Sequence, residues 1–439
     1  MFRLSIKIQQ DEFVLHGTGI AAPLRGCVRQ PTQRLPSGLC LEKLDLVSQG
    51  TPYQSRTLII RLQTLVERIR LGHTLYLVCQ TDEQSEPYQS RLFAGEFSWI
   101  LGSVQPKGIG IRLELQREDY WHLPWRPLAL NNCHGNGVLD GLQMDNRDDN
   151  PVNRQNWCWL AGEDLLGDLP APLRLHLHHD LQSINSLDAI YIGLGSARIT
   201  PLAVLEGEQG SSQLNFGAVM NADCHAGAYG LVQWESSAAL RILSWVIPGA
   251  AFHALARAQL RPLVRLVNPS SLRAETWLSW KLYFGSLVFQ SAARQLTVGR
   301  QLQLLPIICL PALSNSEVPW NDLRLELHAQ NRNPGATHLA LDAVFLFFTD
   351  GWRQFTALPD GKLAYGETLI DQSDQQQPYI HLAQTQTNQQ SYQVLGNGLW
   401  LLPGEDHVLQ VLFDNGQNMP LDAGCHVQLE YQPRTRMLP

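Results

Sequence analysis

Three histidines and an aspartate lie in the run Leu175-His176-Leu177-His178-His179-Asp180. On an extended strand His176, His178 and Asp180 share one face. Two imidazoles and a carboxylate so placed could hold a divalent ion, although a first-row site needs a further ligand from elsewhere in the fold. The same pattern describes a half-buried strand whose polar face carries histidines, so these three stand as weak metal candidates and no metal is assigned. The oxygen-rich run Asp145-Asn-Arg-Asp-Asp-Asn150 lacks the glycine and closing glutamate of a calcium loop and reads as a solvated linker. Glu206, Glu208, Asp223 and Glu235 are available as paired acids for glycoside hydrolysis, but such a pair converges in space and not along the chain. Gly-x-Gly pairs at Gly17, Gly108, Gly135 and Gly193 lack the third glycine of a dinucleotide loop and read as turns. Phosphate-loop, nucleophile-elbow and His-Glu-x-x-His signatures do not occur. The expectation is a non-enzymatic chain with no catalytic residue and no cofactor.

Tryptophan is the better chemical signal. Of twelve, Trp234, Trp245, Trp277, Trp280, Trp320 and Trp352 fall in the middle of the chain, where an exposed indole can stack on a sugar ring. Trp234, Trp245, Trp277 and Trp320 are the carbohydrate-binding candidates. The competing reading is that most of these rings are core.

The elements that must position them are mostly strands. Residues 1–130 read as an α+β domain with one helix, which starts at Thr51-Pro52 and places Leu58, Leu62, Leu65, Val66 and Ile69 at helical spacing before Gly72. Strand patterns follow at 74–79, 91–99 and 110–116. The Asn, Asp and Gly-rich stretch 131–159 reads as a linker. From 160 to 355 short strands recur between turn signals, among them 173–178, 189–194, 263–267, 282–289 and 339–348, which predicts a large jelly-roll-like β-sandwich. Residues 356–439 read as a small C-terminal β unit, or as a closing piece of the first domain. The fold class is therefore mostly β.

Composition limits the partners. At 439 residues several domains are expected. The 17% of charged residues is low for a soluble chain and favours assembly, while a net charge of -7 gives no general basic field for nucleic acid. No run reaches the ~20 apolar residues of a membrane helix, and the alternating start does not read as a signal peptide. Eight scattered cysteines without a Cys-x-x-Cys pair argue for reduced thiols and synthesis in a cytosol.

Several short motifs carry a resemblance. Leu65-Val-Glu-Arg68 in the helix, Thr74-Leu-Tyr-Leu-Val78, Pro87-Tyr-Gln-Ser-Arg-Leu92 and Leu113-Glu-Leu-Gln-Arg-Glu-Asp-Tyr-Trp121 follow one another in the first domain. Leu399-Trp-Leu-Leu-Pro-Gly404, the strand 407–413 and Leu429-Glu-Tyr-Gln-Pro-Arg434 close the chain. In this order they resemble the distal tail proteins of long-tailed bacteriophages and phage-like particles, over about the first 125 and last 45 residues. The resemblance implies a structural protein of the virion tail tip, assembled in the host cytoplasm. It implies a homo-oligomeric ring, usually a hexamer, with DNA only passing through its lumen. Tail tube and hub or baseplate proteins would be the partners, and an inserted sandwich module would contact cell-surface glycan. The alternatives left open are a stand-alone carbohydrate-binding protein, a carbohydrate-active enzyme using the same sandwich, and a tube- or shell-forming virion protein.

Overall fold

The computed structural model describes residues 2–82, 85–100, 109–132, 137–146, 155–180, 186–196, 204–246, 258–284, 287–310, 323–333, 335–358, 361–375, 378–382, 387–389, 392–414 and 424–438. It is mostly β, as the sequence predicts, with one α-helix among the described residues. The chain divides into two units: Met1–Trp125 with Leu166–Pro170 and Gln432–Pro439, and Arg126–Leu165 with Ala171–Tyr431.

In the first unit, strands β1 (Arg3–Ile8), β2 (Asp11–His16), β3 (Leu24–Arg29), β4 (Gln33–Arg34) and β5 (Cys40–Ser48) precede helix α1 (Pro52–Arg70). Strands β6 (Leu75–Gln80), β7 (Tyr88–Trp99) and β8 (Ile109–Arg117) follow it. They form a curled sheet ordered β2-β1-β6-β7-β8-β5-β3, in which each adjacent pair is antiparallel. The helix begins where Thr51 caps it: its hydroxyl accepts from the Gln54 backbone N–H while the Gln54 side chain accepts from the Thr51 N–H. Gly72, at φ 83°, follows the last turn in the left-handed conformation that suits glycine. Leu58, Leu62, Val66 and Ile69 are buried, with Leu65 partly so, and they pack on the sheet with Leu77, Leu92 and Leu115. Gly95 on β7 makes this approach possible, since a Cβ there would lie 3.3 Å from both Ile69 and Leu115.

Buried charge also pins strands β3, β5 and β8 of that sheet. Glu42 on β5 is fully buried and takes Arg117 of β8 at 2.7 Å and Arg29 of β3 at 2.7 Å. Burial raises the Glu42 pKa, but the two guanidiniums outweigh it and hold the carboxyl below its usual range. Arg117 also lies 4.5 Å from the centroid of the buried Trp121 ring. Strand Trp121–His122 pairs with Arg434–Thr435, so the chain's last residues close the first unit.

The second unit contains two sandwiches. In the first, one sheet is ordered Arg126–Leu128, Gly424–Tyr431, Ala171–His178, Thr368–Gln372, Tyr379–Leu382, Thr387–Gln389. The facing sheet is ordered Gly137–Val138, Leu130–Asn131, Trp157–Leu160, His407–Asp414, Ala189–Ser196, Trp352–Ala357, Tyr392–Gly396. The core between them includes Leu173, Leu175, Leu177, Ile190, Ile192, Phe355, Leu409 and Val427. Between strands Ala189–Ser196 and Trp352–Ala357 the chain leaves to build the second sandwich. Its sheets are ordered Asn215–Met220, Ala228–Trp234, Thr337–Phe348, Gln259–Leu266, Leu302–Leu304 and Leu240–Val246, Leu323–Asn331, Thr276–Phe284, Leu287–Gln290.

The expected boundaries are corrected at three places. Strands at 137–138 and 142–145 lie inside the expected linker 131–159 and the strand 157–160 begins in it, each paired with sequence-distant or neighbouring strands. The expected sandwich 160–355 is split, because residues 171–196 belong to the first sandwich and 204–348 make the second. The expected C-terminal unit 356–439 is not separate, since Gly424–Tyr431 pairs with Ala171–His178 and His407–Asp414 with Ala189–Ser196. The run 282–289, expected as one strand, is a hairpin in which Leu282 faces Phe289. Short strands carry too little periodicity to reveal partners that lie 200 residues away.

This packing sets two stability tests. A Cβ added at Gly193 would lie 2.2 Å from the Phe347 ring, so Gly193→Ala should cost about 1–3 kcal/mol in urea denaturation. Asp371 is buried and its carboxyl is pushed up to about 6 by burial, only partly offset by Arg353 at 2.7 Å. Its unfolded value is about 3.9, so the folded state holds the extra proton and stability from this group falls as pH rises from about 4 to 6. Buried His328 and His407, whose pKa values burial lowers, act the other way, losing stability as pH falls. Asp371→Asn should therefore remove a fall on the order of 3 kcal/mol across that window, read as the difference between mutant and wild-type stability–pH slopes. Equal slopes would show that Asp371 titrates normally.

Candidate functional site: an arginine-lined cleft

A cleft of about 550 Å³ opens where the two sandwiches of the second unit meet, within the 300–1,000 Å³ common for small-ligand sites. The first sandwich contributes Tyr191, Trp352 and Gln354 from adjacent strands, with Gly396 at the end of strand Tyr392–Gly396 and Asn397 just after it. The second contributes Arg261, Leu302 and Gln303, with Arg294 from the short strand Arg294–Gln295 and Thr297 and Arg300 from the turn that follows. The floor is apolar: Tyr191, Leu263, Leu302, Phe345, Phe347 and Trp352 are buried against one another.

Each wall residue is held by local structure. Gln303 donates from Nε2 to the carbonyls of Thr297 at 2.9 Å and Arg300 at 3.0 Å, and its Oε1 accepts from the Thr297 N–H at 2.6 Å. This clamps the turn that carries Thr297 and Arg300. Gly396, at φ 96°, lies so close to the strand bearing Trp352 that a Cβ would meet the Trp352 carbonyl at 2.3 Å. Asn397 donates from its backbone N–H to the same carbonyl at 3.1 Å.

The electrostatics are one-sided. The Arg261 guanidinium sits 5.0 Å from the centroid of the Trp352 ring, and its buried Nε has no hydrogen-bond partner among the described residues. Burial first, and then the nearby Arg294 charge, lower its pKa from the ordinary guanidinium value. No carboxylate pairs with Arg261 or Arg294 among the described residues. Arg300 does have one, Asp188 at 3.0 Å, which Lys362 shares at 3.4 Å. Two carboxylates act on the cleft residue Tyr191, Asp414 and the already divided Asp188, against the charges of Arg294 and Arg300.

The expected sugar-stacking rings are placed elsewhere. Trp234 and Trp245 are 4% and 6% exposed and lie in the core of the second sandwich with Trp280. Trp245 donates from Nε1 to the Glu206 carbonyl at 2.8 Å, and its ring centroid is 6.3 Å from that of Trp280. Enclosed rings have no free face for a sugar, which corrects those two assignments: an indole at a β position inside a sandwich is core before it is a platform. Trp277 is half-buried with the Arg332 guanidinium 4.4 Å from its ring centroid, and Trp320 lies outside the described residues.

The weak metal candidates are also separated by partners. His176 Nε2 lies 3.4 Å from Glu430, which Arg174 engages at 2.9 Å; His178 Nδ1 is 3.0 Å from the Thr368 hydroxyl; Asp180 is exposed. Among the described residues no three His, Cys, Asp or Glu are grouped to hold a metal ion. Of the Asp145–Asn150 run, only Asp145 and Asn146 lie within the described residues, and both are buried. Asn146 bonds the Phe413 backbone at both its N–H and carbonyl.

Of the four candidate acids, the half-buried Glu206 and Glu208 lie near each other, and Glu206 is engaged by a network that runs into the core. Glu206 takes His225 Nδ1 at 2.7 Å, the His225 backbone N–H donates to Asp342 at 2.9 Å, and Asp342 lies 3.0 Å from Arg265. Asp342 and Arg265 are both fully buried, and burial raises the Asp342 pKa against the opposing pull of Arg265. Asp223 and Glu235 are exposed on the surface. The cleft arginines had no sequence signal beyond being cations in a sparsely charged chain, since 33 residues separate Arg261 from Arg294 along the chain.

No family model matches the sequence, and no curated protein matches it. Among solved structures, the chain is similar to a chain of the phage P2 baseplate in its activated conformation with Ca, at 7% identity, TM-score 0.27 and full coverage of both chains. It is similar to the SPP1 Dit (gp 19.1) protein at 9% identity and TM-score 0.23, covering 77% of this chain and 98% of that one. It is also similar to an exo-beta-1,3-galactanase from Phanerochaete chrysosporium at 9% identity and TM-score 0.19, covering 70% and 78%. These are weak, low-identity structural similarities, to phage tail-tip proteins over most of the chain and, more weakly, to a carbohydrate-active enzyme. Scores this low assign neither family nor activity.

Proposed function

We propose that this chain is a structural subunit of a phage or phage-like tail tip. In this reading the first unit builds a symmetric ring, with six copies expected, through whose lumen DNA passes. Tail tube and hub or baseplate proteins are its neighbours, and it is assembled in the host cytoplasm. The second unit meets cell-surface carbohydrate, and the chain works by binding and assembly without turnover.

The observation that carries the reading joins the two ends of the sequence. The motif-bearing helix and strands β6 to β8 and the closing Gln432-Pro433-Arg434 fold into one unit, with the Leu123 N–H donating to the Pro433 carbonyl at 3.0 Å. The hydrogen-bonded order of that sheet also ends on β2 and β3, which approach each other as the sheet curls but carry no further strand ladder among the described residues, and β3 exposes Val28 at 63%. Open sheet edges are completed by another chain more readily than they are left to water. The arginine cleft suits equally a stand-alone carbohydrate-binding protein or a carbohydrate-active enzyme, and mass in solution separates these from a ring.

Light scattering with negative-stain imaging of the same fractions should give a closed ring at a multiple of 49.3 kDa. Val28→Lys on the β3 edge should lower that mass without unfolding the chain. A monomer at tens of micromolar would remove the ring reading. Trp234→Ala and Trp245→Ala should each cost about 3–5 kcal/mol in denaturant melts; a change in glycan binding at unchanged stability would restore them as contact residues.

A further inference from the structure

We propose that the cleft bordered by Arg261, Arg294 and Arg300 is a subsite for an acidic saccharide, a sugar that carries a phosphate or a carboxylate. The inference rests on the carbohydrate-contact part of the proposed function, but not on ring assembly.

Three observations converge on an oxyanion. The Arg261 guanidinium is half-buried, fixed against Trp352, and keeps a buried Nε–H without an acceptor among the described residues. No ion pair engages Arg261 among the described residues, and an oxyanion in the cleft it lines would give its guanidinium a charged partner. Arg294 lines the same cleft as a second cation close enough to oppose Arg261, and neither has a carboxylate partner among the described residues. An anion between two guanidiniums relieves that repulsion and accepts from both forks, the geometry in which arginine binds phosphate and carboxylate most firmly. The third observation is the division of Asp188 between Arg300 and Lys362, so that the carboxylates Asp188 and Asp414 are outnumbered by Arg261, Arg294, Arg300 and Lys362 around the cleft.

The remaining lining selects a sugar over a bare ion. A volume of about 550 Å³ far exceeds one phosphate. Thr297, Gln354 and Asn397 line the cleft beside the arginines with hydroxyl and amide groups. Such groups match sugar hydroxyls, which both donate and accept. The Trp352 ring is 5% exposed and serves as the support of Arg261, so recognition here is by charge and hydrogen bonding and not by stacking.

The test is calorimetric titration of the full chain at fixed ionic strength with glucose 6-phosphate, glucuronate, glucose and inorganic phosphate. Glucose 6-phosphate or glucuronate should bind at least about tenfold more tightly than both glucose and inorganic phosphate, and whichever of the two wins identifies the oxyanion. Arg261→Gln and Arg294→Gln should each weaken that binding by about 10- to 100-fold, as loss of a charged hydrogen bond does. Arg294 is exposed, so its variant leaves the fold intact and keeps the test valid if Arg261→Gln destabilises the chain. Inorganic phosphate binding as tightly as the acidic sugars would overturn the saccharide subsite, as would affinity indifferent to Arg294→Gln or no binding at all. A monomer that binds the acidic sugar loses only the ring reading, and a ring that binds none loses only this one.

Discussion

The antiparallel ladder between Ala189–Gly193 and Trp352–Thr356 governs the second unit. Two neighbouring strands of one sheet are joined here not by a turn but by about 150 residues that fold into a sandwich of their own. Loop-closure entropy grows only slowly with length, so a long insertion costs the ladder little once the inserted chain is itself folded. The ladder brings the ends of the insertion to adjacent positions. A close fit then seats the inserted sandwich: Gly193 lets the Phe347 ring lie on the strand, and Tyr191, Phe345 and Trp352 fill the contact. The cleft is the part of this junction that the apolar contact does not fill.

The distribution of charge separates scaffold from site. A chain with few charged residues nevertheless encloses Glu42 with Arg117, Asp371 with Arg353, and Asp342 with Arg265. Such enclosed pairs hold register more than they add stability, because desolvation offsets much of their attraction. Arg265 also donates to the Asn146 carbonyl, and Asn146 is bonded to Phe413, so this charge links the second sandwich to a central strand of the first. Each of these cations has an acid within 3.0 Å. Arg261 and Arg294 break that pattern at the cleft, and an unbalanced pair of cations on a rigid wall is a feature that packing alone does not explain.

In the sequence, the legible features were local. The amphipathic spacing from Leu58 to Ile69, with Thr51-Pro52 before it and Gly72 after, determined helix α1, because caps and a 3.6-residue period act within a few turns. Alternation determined strands such as Leu173–His178 and the mostly β class. The alternation that put His176 and His178 on one strand face was legible too, but not their partners: Glu430 and Thr368 engage them across the sheet.

Tertiary structure decided everything that depends on which strand lies beside which. Segment 131–159 looked like a linker because its strands span two to four residues, too short for periodicity, and only pairing with the chain's last strands makes them part of a sheet. The tryptophans looked like sugar platforms because indole chemistry is the same inside and outside; the side of the sheet on which a ring falls is fixed by register. Arg261 and Arg294 carried no pattern at all, since their meaning comes from Asp188 being taken by others and from the Trp352 ring beneath. The sequence by itself determined the local elements, through propensity and periodicity; the fold decided the domain boundaries and the site, because both arise from contacts among residues that the chain holds far apart.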